Sequence, residues 1–109
     1  MISRVVTCNV KPEKLTQFRN ALSSELLPRI QRQPGFVDVL ESIDTATGQF
    51  VCTTLWKSKE DVERYDKTLF QEVAQQLIPL VNGDPDIKTL TVENSTAHHI
   101  HAGTKSAAA

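Results

Sequence analysis

The sequence predicts an α+β domain in which a four-stranded antiparallel sheet carries both helices on one face, the ferredoxin-like β-α-β-β-α-β arrangement. Three features of the 109 residues predict this fold class. Four short segments have the apolar alternation of strands, at residues 2–10, 36–43, 49–56 and 87–92. Two segments with apolar residues at helical spacing follow the first and third of them. A five-residue turn ending in Gly48 joins the middle strands, as in a β-hairpin.

The first predicted strand, residues 2–10, is apolar on both faces. One face carries Ile2, Arg4, Val6, Cys8 and Val10, and the other carries Ser3, Val5, Thr7 and Asn9. A strand with one solvated face needs fewer apolar residues, so this strand is predicted to be covered on both sides.

The first helix is predicted to begin at Pro12, where a missing backbone N–H costs nothing. Its apolar stripe consists of Leu15, Phe18, Leu22, Leu26 and Ile30. Pro28 lies inside this pattern and is expected to kink the helix, or to split off its last turn, by freeing the Ser24 carbonyl. Pro34 and Gly35 are predicted to end the helix.

The second and third strands form the predicted hairpin. In the second strand Val37, Val39 and Ile43 are predicted to face one way, and Phe36 and Leu40 the other. In the third strand Phe50, Cys52 and Trp56 share one face, and Val51 and Leu55 share the other. Both strands therefore repeat the two-sided apolar pattern of the first strand.

The corner between the third strand and the second helix, residues 55–65, holds two large rings, Trp56 and Tyr65. Ser58 followed three residues later by Asp61 fits the capping-box pattern, so Ser58 is predicted to be the N-cap of the helix. The corner is thus expected to set the two rings at opposite ends of one strand-to-helix joint.

The second helix is predicted to break and restart, because Thr68 and Gln71 repeat the capping pattern. Its later apolar stripe consists of Phe70, Val73, Ala74, Leu77, Ile78 and Val81. Residues 82–85 are predicted to end it as a turn, and residues 87–92 to form the last strand. In that strand Leu90 and Val92 lie opposite Ile87, Thr89 and Thr91.

The two-sided strands predict a homodimer. Two helices cover only one face of the sheet, and a lone domain of this size would expose an apolar patch of roughly several hundred Å² on the other face. Pairing two sheets face to face covers that patch. The domain is expected to span residues 1–96, with residues 97–109 as a flexible C-terminal tail.

The composition excludes several classes of partner. The net charge is −1 and no basic run is present, so nucleic acid is not an expected partner. No apolar segment reaches the roughly 20 residues that span a membrane. No signal peptide is read at the N-terminus, so a cytoplasmic location is expected. Cys8 and Cys52 are accordingly expected to be buried, reduced thiols.

The chain has none of the common catalytic or cofactor motifs. Four glycines form no phosphate loop or dinucleotide fingerprint. The three histidines, His98, His99 and His101, all lie in the predicted tail, so no catalytic triad can be assembled. They are interpreted as polar tail residues, with a small metal site as the alternative. No cofactor and no metal are expected.

Three segments resemble the antibiotic biosynthesis monooxygenase family. They are Gln33-Pro34-Gly35-Phe36, the acidic turn at Asp44, and residues 55–62 with the sequence Leu-Trp-Lys-Ser-Lys-Glu-Asp-Val. The resemblance covers nearly all of residues 1–96. It implies a dimeric α+β barrel with a pocket between the sheet and the helices of each subunit. It also implies oxidation of aromatic polyketides or quinols by dioxygen without metal or flavin, or else haem binding and degradation.

Carried over residue by residue, the resemblance to the polyketide-oxidising members rests on Trp56. Those members have an asparagine four residues before the tryptophan and a tyrosine six residues after it, where this chain has Cys52 and Val62. Quinol-oxidising relatives often have a histidine where Tyr65 stands. The resemblance therefore implies a pocket lined by Trp56, Tyr65 and Asn9.

The haem-degrading members share a first-strand asparagine, which Asn9 matches. Tyr65 replaces their tryptophan, and Gln75 stands about where their histidine ligand lies. Without that ligand an iron would lack a good axial partner, so haem degradation is not the preferred interpretation.

The preferred hypothesis is a cofactor-independent monooxygenase acting on a small aromatic, quinol-like or polyketide-like molecule. Trp56 and Tyr65 are predicted to position the ring, and Asn9 to hydrogen-bond the ring or its oxygen adduct. The alternative is a non-catalytic small-molecule-binding or stress-associated dimer with a vestigial pocket, in which the three residues are structural.

Overall fold

The computed structural model describes residues 1–101, and the predicted tail lies outside the described residues from residue 102 onward. A four-stranded antiparallel sheet is formed by β1 (Ile2–Val10), β2 (Phe36–Ile43), β3 (Gln49–Trp56) and β4 (Val81–Thr91). The strand order is β2-β3-β1-β4, with all three pairings antiparallel. This order confirms the predicted ferredoxin-like fold.

Two helical arms pack on one face of this sheet. The first arm consists of a 3-10 turn (Pro12–Lys14), α1 (Leu15–Ala21), a π turn (Leu22–Leu26) and α2 (Leu27–Gln31). The second arm consists of α3 (Lys59–Tyr65), a π turn (Asp66–Phe70), α4 (Gln71–Leu77) and a 3-10 turn (Ile78–Leu80). Within residues 1–101 no helix combines the length and the apolar character needed to span a membrane.

Both predicted helix interruptions occur, and both are π turns. In the first arm the π turn directly precedes α2, and Pro28 occupies the first turn of α2, where its missing N–H is tolerated. In the second arm the predicted fresh start at Thr68 is wrong. The Thr68 hydroxyl donates to the Arg64 carbonyl at 2.9 Å instead of capping, and the arm continues.

A bulge in β2 changes which face Phe36 lies on. Phe36 pairs with Trp56, but Asp38 already pairs with Leu55, so one residue is inserted between them. The prediction that placed Phe36 opposite Val39 is therefore wrong. Phe36 packs against the core with its ring 5.8 Å from that of Trp56.

The predicted turn at residues 82–85 is also wrong, because β4 runs through it. Thr7 pairs with Asp86 and Asn9 with Asn82, so β4 takes more residues than β1 across this register shift. Gly83, at φ 71°, lies in this bulge. Gly83 and Pro85 were expected to end the helix in a turn before the strand. They lie instead within the bulge of β4, where both residue types are tolerated, so the segment stays paired with β1.

The corner after β3 is built as predicted. The Ser58 hydroxyl accepts a hydrogen bond from the Asp61 backbone N–H at 3.3 Å, which confirms Ser58 as the N-cap of α3. Gly35, at φ 83°, lies directly under the Asp61 side chain, where a Cβ atom would collide with it. The turn that ends the first arm and the start of α3 therefore depend on each other.

The hydrophobic core lies between the arms and the sheet face that the strand alternation predicted. Its most deeply buried side chains are Trp56, Phe18, Leu26, Val10 and Val62. The opposite face, called here the open face, carries Leu40 at 68% exposure and Leu90 at 51%. The chain returns to this side after β4, where Ser95 and Ile100 pair and His98 Nε2 lies 3.1 Å from Asp38 Oδ2.

Candidate functional site

An apolar cavity of about 90 Å³ lies between the sheet and both helical arms. Strand register places one residue from each strand side by side on its floor, in the order Glu41, Cys52, Val6 and Ile87. Its roof is formed by side chains of both arms: Phe18, Leu22, Ile30, Phe70, Val73, Leu77 and Ile78. The cavity is where the family resemblance implied a pocket, between the sheet and the helices.

Tyr65 and Trp56, which were expected at opposite ends of the corner, stack against each other, and only Tyr65 lines the cavity. Their rings stack with centroids 4.8 Å apart and an interplanar angle of 27°. Trp56 has no exposed surface, and its Nε1–H donates to Thr54 Oγ1 at 2.9 Å. Trp56 therefore supports the tyrosine ring from behind.

The Tyr65 hydroxyl is the polar group of this ring pair that is free to meet a ligand. No residue between 1 and 101 forms a hydrogen bond with it. Burial raises the pKa of the Tyr65 phenol above its ordinary value, so the hydroxyl stays protonated. Such a group can donate a hydrogen bond to a ligand oxygen or accept one from a ligand hydroxyl.

Asn9 is not brought together with the two rings. It pairs with Gln49 at one end of β1, whereas Trp56 pairs with Ile2 at the other end, roughly 23 Å away along the strand. Its side chain is exposed and belongs to the open face, opposite Cys8 and Val10. The sequence prediction that Asn9 lines the same pocket is not supported by this position.

Arg4 is the buried cation of the cavity wall. Its Nη1 and Nη2 donate to the two carboxylate oxygens of Asp66 at 2.7 and 2.8 Å, and its Nε donates to Thr89 Oγ1 at 3.0 Å. The guanidinium carbon lies 5.3 Å from the centroid of the Phe70 ring. This planar group is therefore oriented by three hydrogen bonds and a ring before any ligand binds.

Glu41 is a cavity residue that sequence reasoning missed. It retains more than a third of its surface exposed, yet partial burial raises the pKa of its carboxyl above the ordinary value. The sequence did contain an indication of this position, because Glu41 lies between Val39 and Ile43 on the strand face that is otherwise apolar. Arg4 interrupts the inward series of β1 in the same way, and both charges lie at the cavity.

The two cysteines are not suited to nucleophilic chemistry. Burial, together with the neighbouring Glu41 carboxylate, raises the pKa of Cys52 to about 12. Burial also raises the pKa of Cys8. Both are free thiols, in agreement with the sequence prediction, and their thiolate forms are disfavoured. Across residues 1–101, no three His, Cys, Asp or Glu side chains are grouped so as to hold a metal ion.

The fold and the cavity define a class of protein: a small α+β domain with an enclosed apolar chamber between an antiparallel sheet and its helices. The model of the antibiotic biosynthesis monooxygenase family matches residues 1–77. The chain belongs to this family. A comparison with curated proteins finds no match.

Solved structures of other proteins share the fold. A monooxygenase from the gene ActVA-Orf6 of Streptomyces coelicolor, in complex with nanaomycin D, has a TM-score of 0.72 at 19% identity, covering 86% of this chain and 88% of that one. A mutant of SnoaB, a cofactor-independent oxygenase from Streptomyces nogalater, has a TM-score of 0.69 at 17% identity, covering 87% and 95%. A conserved protein from Methanosarcina mazei Go1 has a TM-score of 0.72 at 21% identity, covering 82% and 89%.

Proposed function

We propose that this protein binds a small electron-rich aromatic molecule in the cavity and oxygenates it with dioxygen, without a cofactor. Membership of the antibiotic biosynthesis monooxygenase family supports the reaction class. One observation carries the proposal for this chain: the Tyr65 hydroxyl, which has no hydrogen-bond partner among residues 1–101, lies in a largely apolar chamber that also holds the Glu41 carboxyl.

The proposed chemistry uses the substrate as the reductant. A substrate hydroxyl transfers its proton to the Glu41 carboxylate, and the Tyr65 hydroxyl orients the ring by a hydrogen bond. In a substrate whose keto tautomer has a ring methylene, such as a hydroxyanthracene, the electron-rich anion then reduces dioxygen, and a carbon–oxygen bond forms at that carbon. The O–O bond breaks, one oxygen atom remains as a carbonyl, and the other leaves as water with the two methylene hydrogens. Glu41 returns its proton to the substrate oxygen, which restores both the carboxylate and the hydroxyl. The apolar walls exclude bulk water during these steps.

The predicted site residues take different parts in this proposal. Tyr65 contacts the ring, and Trp56 positions Tyr65 through the stack at 4.8 Å. Asn9 lies on the open face, so the predicted hydrogen bond from Asn9 to the ring stays a prediction outside this mechanism.

A second candidate function is non-catalytic binding of the same class of ligand. The positions where polyketide-oxidising relatives have an asparagine and a tyrosine favour it. Here they hold the protonated thiol of Cys52 and the buried side chain of Val62.

Oxygen consumption separates the two candidates. A panel of quinols and polyhydroxyanthracenes is incubated with the parent protein, Tyr65→Phe, Trp56→Phe and Thr45→Ala, the last a control in the exposed hairpin turn. If the protein is an oxygenase, the parent and Thr45→Ala should consume oxygen faster than the buffer alone. Tyr65→Phe should lower the rate of oxygen consumption by at least about tenfold. Ligand binding without any uptake favours the second candidate.

We also propose that two copies pair through their open faces. Support comes from Leu40 and Leu90, which are 68% and 51% exposed on opposite edge strands of that face. Sedimentation at micromolar concentration should give a dimer for the parent and a monomer for Leu40→Asp. Ile78→Asp, which changes an exposed apolar residue on the second arm, should remain dimeric. A parent monomer under these conditions contradicts the pairing.

A further inference from the structure

We propose that the cavity selects neutral hydroxylated rings over rings that carry a carboxylate, and that Glu41 enforces this choice. The inference rests on the proposed use of the cavity as a ligand site, and it names the class of ligand. Three observations on residues 1–101 carry it: the size of the chamber, the state of Arg4 in its lining, and the Glu41 carboxylate on its floor.

The size of the chamber limits how much of a ligand it can enclose. An engineered cavity of about 150 Å³ is enough to hold benzene, whereas this chamber measures about 90 Å³. The lining residues Ile78 and Ile87 are 51% and 44% exposed, so the chamber opens to solvent between the second arm and β4. The chamber therefore encloses no more than part of one ring, and the rest of the ligand must extend through this mouth.

Arg4, the only cationic residue of the lining within residues 1–101, is not available to a ligand carboxylate. Asp66 already occupies both of its terminal nitrogens in a bidentate pair at 2.7 and 2.8 Å. Thr89 accepts from the remaining Nε. A carboxylate on the ligand would have to displace Asp66 from a guanidinium whose side chain is only 7% exposed. This pair therefore gives the chamber no net positive charge.

Glu41 adds an uncompensated negative charge at the floor. No Lys, Arg or His among residues 1–101 forms an ion pair with it. Its neighbour across the β2–β3 pairing is Cys52, a neutral thiol that cannot offset the charge. The carboxylate can accept a hydrogen bond from a neutral hydroxyl, but it repels a second carboxylate that is brought into the chamber beside it.

The test compares two ligands of equal shape, 4-hydroxybenzamide and 4-hydroxybenzoate, by anaerobic calorimetric titration at pH 7.5. Parent protein should bind the neutral amide at least about tenfold more tightly than the anion. Glu41→Gln, which keeps the shape and removes the charge, should reduce that ratio to less than about threefold. Glu72→Gln, an exposed carboxylate on α4, should leave the ratio unchanged.

Several outcomes overturn the inference. They are equal affinity of the parent for the two ligands, an undiminished preference in Glu41→Gln, and no binding of the amide at millimolar concentration. Because oxygen is absent, the result does not depend on turnover. Selective binding combined with no oxygen uptake in the separate assay supports this inference and counts against the oxygenase proposal.

Discussion

The rings of Trp56 and Tyr65 stack 4.8 Å apart, and the tyrosine separates the tryptophan from the cavity. The two residues therefore differ in their surroundings, although both belong to one strand-to-helix corner. The tryptophan supplies fully buried ring area, and the tyrosine lines the cavity that we propose as the ligand site. Substitutions at the two positions should consequently separate stability from binding.

Tyr65→Phe should weaken binding of 4-hydroxybenzamide by about 3- to 10-fold while leaving the free energy of unfolding nearly unchanged. The reason is that the hydroxyl has no hydrogen-bond partner among residues 1–101, so its removal breaks no contact within that part of the chain. Calorimetric titration and urea unfolding measure the two quantities. A clear loss of stability without loss of affinity would mean that the hydroxyl is structural.

Trp56→Ala should lower the free energy of unfolding by about 4 kcal/mol, and Trp56→Phe by about 2 kcal/mol. Trp56 has no exposed surface, and its indole stacks on Tyr65 and donates a hydrogen bond to Thr54 Oγ1. Replacing it removes buried ring area and these contacts of the indole. Urea unfolding followed by circular dichroism measures both changes, since the variants lack the fluorescent indole. Leu40→Ala, at a side chain 68% exposed, should be nearly neutral under conditions where the protein is monomeric.

Asp66→Asn should destabilise the fold by about 3 kcal/mol, because it leaves the buried Arg4 guanidinium without its charge partner. The matched control is Glu72→Gln, which breaks an equally bidentate pair with Arg29 on the exposed surface. There both side chains are more than 40% exposed, and solvent screens the pair, so little change is expected. Equal effects of the two substitutions would contradict the buried role of Arg4.

Gly35→Ala should cost about 3 kcal/mol, whereas Gly83→Ala should cost about 1 kcal/mol. Both glycines have positive φ, at 83° and 71°, so both substitutions incur the left-handed backbone penalty. Only at Gly35 would the new Cβ atom also displace the Asp61 side chain, which takes part in the cap of α3. Thermal unfolding of the two variants side by side measures the difference.

Alkaline pH should destabilise the protein through Cys52. Burial raises the pKa of this thiol from 9.0 to about 12, so the folded state holds the proton more tightly than the unfolded state. This contribution is fully present below pH 9 and is lost as the pH rises towards about 12. The fall in the free energy of unfolding above pH 9 should be smaller in Cys52→Ala.

Much of the fold could be predicted from local patterns. The alternation in β1 and β3 identified the buried faces, and Ser58 with Asp61 identified the start of α3. The errors occurred where a bulge added residues without a sequence signal, as at Phe36 and at Gly83. The bulge at Phe36 inserts one residue and shifts the side-chain alternation, and alternation read from one strand cannot detect that change.

The candidate site was only partly predictable. Trp56 and Tyr65 were correctly assigned to one short corner, but their stacking was not predicted and is seen only in the structure. Arg4 pairs with Asp66 across 62 positions, which no local pattern reports. Glu41 was visible only as a charge among inward apolar residues, and its place beside Cys52 depends on the register of the hairpin.

The sequence by itself determined the order of the elements, the buried face of most strands and the strand-to-helix corner that holds Trp56 and Tyr65, because these depend on periods of two and 3.6 residues and on one helix cap. Only the tertiary structure decided that Tyr65 shields Trp56 from the cavity, that Asn9 lies on the opposite face, and that Arg4 and Glu41 meet the same chamber. The physical reason is that strand register and helix placement join residues far apart in the chain, through packing that no local pattern encodes.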